Sequence, residues 1–144
     1  AQILELMLQL QKELGMAIIM ITHDLGVIAE TCQRVAVMYA GKIVEYTDVR
    51  TLFKNPKHPY TWGLLNAIAR LDIEQKELYN IPGIVPDPLH FPKGCKFHTR
   101  CPFADSLCKA EEPEINEIEP NHHVRCFHID RLEEAKLKSK AGER

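Results

Sequence analysis

The chain has 144 residues, of which 45% are hydrophobic and 26% charged, and its formal net charge at pH 7 is −2. These values are typical of a globular protein and argue against a disordered chain, a collagen-like chain and a basic nucleic-acid-binding domain. No unbroken apolar run is longer than the six residues 16–21, well short of the roughly 20 residues of a membrane-spanning helix. The seven glycines are widely spaced, which excludes a glycine-rich phosphate-binding loop within this sequence.

The N-terminal third predicts a helix followed by a buried strand. Apolar residues recur at helical spacing from Ile3 to Leu14, so residues 1–14 are predicted to form an amphipathic helix with Gly15 at its C-cap. Residues 16–21 are apolar without alternation, which is typical of a parallel strand buried on both faces. Such a strand needs neighbouring strands and covering helices. Because the sequence supplies too few of them, we expect a piece of a larger α/β protein.

Further elements follow from capping and turn signals. We predict a helix over residues 25–32, capped by Thr22 or Asp24, and a tight β-hairpin around Ala40-Gly41. The strands of that hairpin are predicted at residues 34–39 and 42–46, and the remaining helices at residues 48–53, 60–71, 102–109 and 130–138. The acidic stretch 111–119 is predicted to be a solvated loop, and the end of the chain, residues 131–144, is predicted to fray.

His23 directly follows the predicted buried strand. Ligands of open α/β sheets bind at the carboxyl ends of parallel strands, and an imidazole there can donate a hydrogen bond to a phosphate or orient a water. The alternative interpretation is a surface histidine at the start of a helix. The residue alone leaves both interpretations open.

Four of the five cysteines, Cys95, Cys101, Cys108 and Cys126, lie in the C-terminal half. Their spacing leaves an iron–sulfur cluster, a zinc site and two disulfides open, because it lacks both the short pairs that zinc favours and the two-residue gaps of ferredoxins. Residues 80–128 contain seven of the nine prolines and few large apolar residues. Because such a segment buries little apolar surface, we expect disulfides or a bound metal to stabilise its fold. The fifth cysteine, Cys32, is interpreted as a small packed residue.

Other polar residues near these cysteines have two interpretations each. A histidine can replace a thiolate in a metal site, yet a histidine is more often solvated. The candidates are His98, His122, His123 and His128. Lys96 and Arg100 either partly neutralise the negative charge of a thiolate cluster by hydrogen bonding or are simply exposed to solvent.

Four segments resemble a known family, in the order in which the family carries them. Residues 18–25 (IIMITHDL) resemble the switch-histidine segment of ABC transporter ATPase domains, and residues 34–45 resemble the hairpin that follows it. Residues 55–61 (NPKHPYT) resemble the His-Pro-Tyr motif of the dipeptide and oligopeptide importer ATPases. Their C-terminal extension is similar to Ile81-Pro82-Gly83, Pro86, Pro88, Pro92-Lys93-Gly94-Cys95 and Arg100-Cys101-Pro102. The similarity covers about residues 1–130.

The resemblance implies an α/β fold: a C-terminal fragment of a RecA-like P-loop ABC ATPase domain, followed by a small, loop-rich, four-cysteine metal-binding extension. The implied parts are residues 1–54 (ATPase domain), 55–79 (linking helices with the His-Pro-Tyr motif), 80–130 (extension) and 131–144 (tail). His23 would be the switch histidine, which contacts the ATP γ-phosphate and positions the attacking water, and Asp24 would be its acidic neighbour. Walker A, Walker B and the signature loop are expected upstream, so this fragment should not hydrolyse ATP with Mg²⁺ alone.

The resemblance also implies cofactors and partners. It favours a [4Fe–4S] cluster on Cys95, Cys101, Cys108 and Cys126, with zinc or free thiols as alternatives, since disulfides fit a cytosolic ATPase poorly. The implied partners are a second ABC ATPase subunit, membrane permease subunits and, indirectly, a solute-binding protein, without nucleic acid. The implied location is cytoplasmic, peripheral on the inner face of the cell membrane. The alternative function is a stand-alone four-cysteine metal or redox module, which leaves residues 1–70 unexplained.

Overall fold

The computed structural model describes residues 2–67 and 81–142. Its elements in chain order are α1 (Gln2–Leu14), α2 (Leu25–Thr31), β1 (Arg34–Tyr39), β2 (Lys42–Asp48), α3 (Val49–Lys54), α4 (Pro59–Ala67), α5 (Ser106–Ala110), β3 (Asn116–Glu119), β4 (His122–Val124) and α6 (Ile129–Gly142). The predicted helix over residues 60–71 is thus confirmed up to Ala67, and its last residues lie outside the described ones. None of the described helices has the length and apolar character that crossing a membrane requires.

The N-terminal segment confirms one prediction and corrects another. α1 forms as predicted, and Gly15 after it has a φ of +64°, as expected of a C-cap glycine. The predicted strand over residues 16–21 is wrong, because that segment has no strand structure. Its Ile19 and Ile21 side chains are 92% and 97% exposed. A strand exists only through hydrogen bonds to a neighbour, and the described residues offer this segment no pairing strand.

The predicted β-hairpin is confirmed. β1 and β2 pair antiparallel, with Tyr39 opposite Lys42 across the turn. Ala40 and Gly41, the two turn residues, have φ values of +47° and +75°. Two consecutive positive φ angles are typical of the type I′ turn, whose twist matches that of the flanking strands.

The hairpin is part of a larger antiparallel sheet that the sequence did not predict. The strand order is β1-β2-β4-β3. β3 falls within residues 111–119, so the prediction of a solvated loop is wrong for Asn116–Glu119. β4 pairs with β2, placing Val124 opposite Glu45 and His123 opposite Tyr46. The sheet therefore joins a segment assigned to the ATPase part with a segment assigned to the extension.

Two small apolar cores flank the sheet. Val35, Val49 and Leu52 form the first, and Cys32 packs against it, which confirms the packed role predicted for that cysteine. The second is formed by Tyr39, Val44 and Phe97, with Tyr60 from α4 beside them. The Tyr39 ring lies 4.7 Å from Tyr60 and 5.1 Å from Phe97 between centroids. This second core connects the hairpin, α4 and the cysteine-containing segment.

The C-terminal helix is docked over about its first two turns, which corrects the expectation of a frayed end for this part of it. Leu132 on α6 is fully buried. Arg131 donates to the carbonyl oxygen of Phe103 at 2.8 Å, and the Lys57 ammonium lies 3.3 Å from the Glu133 carboxylate. α6 thus packs against both the cysteine-containing segment and the loop before α4.

Gly94 permits a close approach between two backbone segments. Its φ is +69°, and a Cβ there would overlap the carbonyl oxygen of Cys108 and lie 2.7 Å from that of Lys109. The next residue, Cys95, donates its N–H to the Cys108 carbonyl oxygen at 2.8 Å. The loop before Cys95 therefore lies directly on the C-terminal end of α5.

We expect Gly94→Ala to lower the free energy of unfolding by about 3 kcal/mol or more, because strain and steric overlap act together. Gly41→Ala is the matched control: its φ is +75°, with nothing within 4 Å of the added Cβ. That change should cost only the strain, about 1 kcal/mol. Urea unfolding of the two variants measures the difference. Equal losses would show that the close approach at Gly94 does not exist.

Candidate functional site

A buried carboxylate joins three segments of the chain. Glu45 on β2 has no exposed surface. It accepts hydrogen bonds from the backbone N–H groups of Lys57 at 2.7 Å and His58 at 3.0 Å, just before α4. It also contacts the Nε2 of His122 on β4 at 2.7 Å. The carboxylate therefore holds the loop before α4 and β4 against β2.

The surroundings of Glu45 keep it ionised. Burial by itself raises the pKa of this carboxyl group. The hydrogen bonds from His122 and from the backbone of Lys57 and His58 outweigh burial, so the pKa lies below its ordinary value. An ionised carboxylate is tolerated in an interior only when its oxygens are hydrogen-bonded, and here several donors converge on it.

The His-Pro-Tyr segment forms the contact between the hairpin and the cysteine-containing part. His58 is 1% exposed, and its Nδ1 accepts the backbone N–H of Tyr60 at 3.0 Å. Pro59 is the first residue of α4, a position that needs no N–H donor. Burial lowers the pKa of His58 to about 4, so the imidazole is neutral at physiological pH. Its ring lies 5.9 Å from that of Phe97.

The four predicted cysteines lie around one cavity. Cys95, Cys101, Cys108 and Cys126 all line it, and none forms a disulfide. The other lining residues are His58, Pro59, Phe97, His98, Phe103, Ala104, Phe127 and His128. The sequence therefore identified the thiols that converge, and the folded chain surrounds them with aromatic rings.

The cavity disfavours thiolates in the absence of a cation. Burial raises the pKa of all four thiols, to about 11 for Cys101 and about 12 for Cys126. The charge of each neighbouring thiol raises the pKa of Cys126 further. A bound metal stabilises the thiolate form, so metal binding here would release protons.

The backbone N–H of His128 donates to the sulfur of Cys126 at 3.4 Å. Nearby backbone N–H groups also lower the pKa of the Cys95, Cys101 and Cys108 thiols, against the effect of burial. N–H···S bonds of this kind tune iron–sulfur clusters in general. Cysteine spacing gives no signal for them, because they depend on loop conformation.

The sulfur spacing bears on which metal group fits. Thiolates at about 2.3 Å from one zinc ion lie roughly 4 Å from each other. Within residues 2–67 and 81–142, the group whose ligand atoms are all within 4.8 Å of one another is Asp105, Cys108 and His128, and no three cysteine sulfurs form such a group. Among the described residues, the cysteine sulfurs are therefore not already at the spacing of a single zinc site.

The two basic residues near the cysteines, for which two interpretations were open, contact backbone oxygens. Arg100 donates to the carbonyl oxygens of Ile81 and Pro82, and Lys96 to that of Pro92. Neither makes a described hydrogen bond to a thiol, so their predicted role beside the sulfurs is not supported by these contacts. Among the four histidines, His98 and His128 line the cavity.

His23 lies apart from the cysteine cavity, in the turn before α2. Its side chain is exposed. Asp24 caps α2 by accepting the N–H groups of Gly26 at 2.9 Å and Val27 at 3.1 Å. Thr22 accepts the N–H of Asp24 at 3.0 Å. Of the two predicted caps, Asp24 is the one that forms, and it fixes the backbone next to His23.

Comparison with known proteins gives consistent matches. Residues 44–108 match the model of the family described as "Oligopeptide/dipeptide transporter, C-terminal region". The chain is 49% identical over 128 residues to the probable peptide ABC transporter ATP-binding protein y4tR of Sinorhizobium fredii, covering 88% of this chain and 38% of that protein. It is 49% identical over 127 residues to the oligopeptide transport ATP-binding protein OppD of Salmonella typhimurium, with 88% and 38% covered. It is 41% identical over 128 residues to the dipeptide transport ATP-binding protein DppD of Escherichia coli, with 89% and 39% covered. The chain thus spans well under half the length of these relatives.

The neutral state of buried His58 makes stability depend on pH. Its pKa is about 4 when folded and about 6.5 when unfolded. Below pH 6.5 the unfolded chain takes up a proton that the folded chain does not, so stability falls as the pH drops towards 4. We expect the metal-free protein to lose about 2 kcal/mol between pH 7.5 and pH 5, measured by urea unfolding.

The control for that titration is an exposed histidine. His58→Gln should flatten the slope between pH 7.5 and pH 5, whereas His90→Gln, at a largely exposed side chain, should preserve it. An unchanged slope in His58→Gln would contradict the assignment.

Proposed function

Because the chain belongs to the family of oligopeptide and dipeptide ABC transporter ATP-binding proteins, we propose that it is the C-terminal part of the ATP-hydrolysing subunit of an ABC importer. The observation that carries the proposal is the family match over residues 44–108, which begins on β2 and ends at Cys108. The proposed cargo is a dipeptide, an oligopeptide or a related small solute. The sequence contains no phosphate-binding loop of its own, so this part alone should not hydrolyse ATP.

In this proposal His23 acts on the γ-phosphate of ATP. An exposed imidazole in a turn can donate a hydrogen bond to a phosphate oxygen and hold a water in line. Its backbone is held by the cap at Asp24, which accepts two N–H groups of α2. ATP and Mg²⁺ would be bound chiefly by the P-loop and acidic residues of the rest of the subunit.

The exposed apolar surface of the N-terminal segment supports a larger domain. α1 has no buried residue, and Ile3 is 75% exposed. Ile19 and Ile21 are almost fully exposed. Apolar surface of this extent is normally covered, and we assign its cover to the remaining strands and helices of the ATPase domain.

The proposed subunit works with partners. A second ABC ATPase subunit, of the same or a related kind, would close against it when ATP binds. Hydrolysis would reopen the pair and switch membrane permease subunits between inward and outward states. A solute-binding protein would deliver the cargo. This places the subunit in the cytoplasm, on the inner face of the cell membrane.

We further propose that Cys95, Cys101, Cys108 and Cys126 hold a [4Fe–4S] cluster. The support is the shared cavity, its aromatic lining and the backbone N–H of His128 at the sulfur of Cys126. A bound cluster would supply metal–thiolate bonds between segments that bury little apolar surface. The pairing of β4 with β2 links this cavity to the hairpin, which disfavours a stand-alone metal module.

In the complete subunit, His23→Ala should lower ATP turnover by at least about tenfold while nucleotide affinity is retained, because general positioning groups contribute on that scale. Steady-state phosphate release and nucleotide binding are measured side by side. His90→Ala, another exposed histidine, serves as the control and should turn over ATP normally. Undiminished turnover in His23→Ala would rule out the switch role.

The protein purified without oxygen should be brown and contain iron and sulfide. Cys95→Ser and Cys126→Ser should lose the cluster, since each removes a thiolate ligand, whereas Cys32→Ser, at a packed cysteine outside the cavity, should keep it. Elemental analysis and the visible absorption spectrum provide the measurement. Equimolar zinc without iron or sulfide would reject the cluster.

A further inference from the structure

One edge of the cysteine cavity brings three different metal-binding side chains together. The ligand atoms of Asp105, Cys108 and His128 all lie within 4.8 Å of one another. Cys108 and His128 line the cavity. The Asp105 side chain is 31% exposed and that of His128 is 15% exposed. The group therefore runs from the buried thiol outwards to a carboxylate that solvent ions can reach.

The contact between the imidazole and the carboxylate is short but poorly directed. Nε2 of His128 lies 2.7 Å from Oδ2 of Asp105. The nitrogen is nevertheless buried without a hydrogen bond of acceptable geometry. The nitrogen therefore has no hydrogen-bond partner among the described residues. An ion seated to one side of the pair would contact both atoms.

The three side chains are held in place before any ion binds. The Asp105 carboxylate caps α5 by accepting the N–H of Cys108 at 3.2 Å. The backbone N–H of His128 donates to the sulfur of Cys126 at 3.4 Å.

One cation opposes an incoming metal ion. The guanidinium of Arg131 lies 3.0 Å from Oδ2 of Asp105. Arg131 also donates to the carbonyl oxygen of Phe103, so it has a second acceptor when the carboxylate is shared. A carboxylate and a thiolate together balance the charge of one divalent ion.

We propose that Asp105, Cys108 and His128 form a site for a single divalent transition-metal ion of the zinc or ferrous type. A carboxylate oxygen, an imidazole nitrogen and a thiolate are ligand types that such ions accept. The site shares Cys108 with the proposed four-cysteine cluster, so the ion and the cluster are alternative occupants of that thiol. The inference goes beyond the cluster proposal and depends only on the geometry of these three side chains.

Cobalt(II), added alone to the metal-free, reduced full chain without oxygen, is the probe. The wild-type chain should bind one ion with a charge-transfer band of a single thiolate. Asp105→Asn and His128→Gln should each weaken binding by about tenfold or more, and Cys108→Ser should remove the band. Asparagine still caps a helix, so Asp105→Asn tests the site in a folded chain.

Matched variants separate this site from the cluster. His98→Gln changes the other histidine of the cavity, whose Nδ1 contacts the Cys95 carbonyl oxygen at 2.8 Å. Asp48→Asn changes the equivalent cap of α3. Both should bind cobalt as the wild type does, as should the double variant Cys95→Ser/Cys101→Ser.

Three results would overturn the inference: no cobalt binding by the wild type, loss of binding in the Cys95→Ser/Cys101→Ser variant, or normal binding by His128→Gln. The cluster proposal fails separately. Its failure appears as a wild-type chain that takes up no iron and sulfide on reconstitution, whatever the cobalt result.

Discussion

The fold depends on one buried charge, the carboxylate of Glu45. An ionised carboxylate without surface exposure is destabilising by several kcal/mol unless donors surround it. Its donors come from the loop before α4, through Lys57 and His58, and from β4, through His122. No two of these segments are neighbours in the sequence. The charge is therefore satisfied only when all of them are in place, which makes the hairpin, α4 and the cysteine-containing part mutually dependent.

The features that the sequence predicted are local. Asp24 precedes α2, Ala40-Gly41 separates two apolar strands, and each signal acts within a few residues. The convergence of the cysteines was predictable from spacing and family resemblance. By contrast, the contact of Glu45 with His122 joins residues 77 positions apart. A three-residue strand such as β4 has too few residues to show alternation, so neither its pairing nor the role of Glu45 has a sequence signature.

The segment 16–21 shows why an apolar pattern predicts a preference and not a structure. Its composition is that of a strand buried on both faces. In the structure Ile19 and Ile21 are almost fully exposed and the segment is not a strand. A helix satisfies its backbone internally, which is why α1 forms without burying any residue. A strand cannot do so, because its backbone hydrogen bonds need a neighbouring strand. The described residues provide none for this segment.

The cysteine cavity and the buried carboxylate act on the same short strand. Cys126 lies two residues beyond the C-terminal end of β4. At the N-terminal end of β4, His122 contacts Glu45. The four thiols lie around one cavity only in the folded chain, so a metal group that needs all four binds the folded arrangement. A ligand that binds only the folded state stabilises it by mass action. Metal in the cavity would therefore strengthen the pairing of β4 with β2, and with it the hairpin that follows His23.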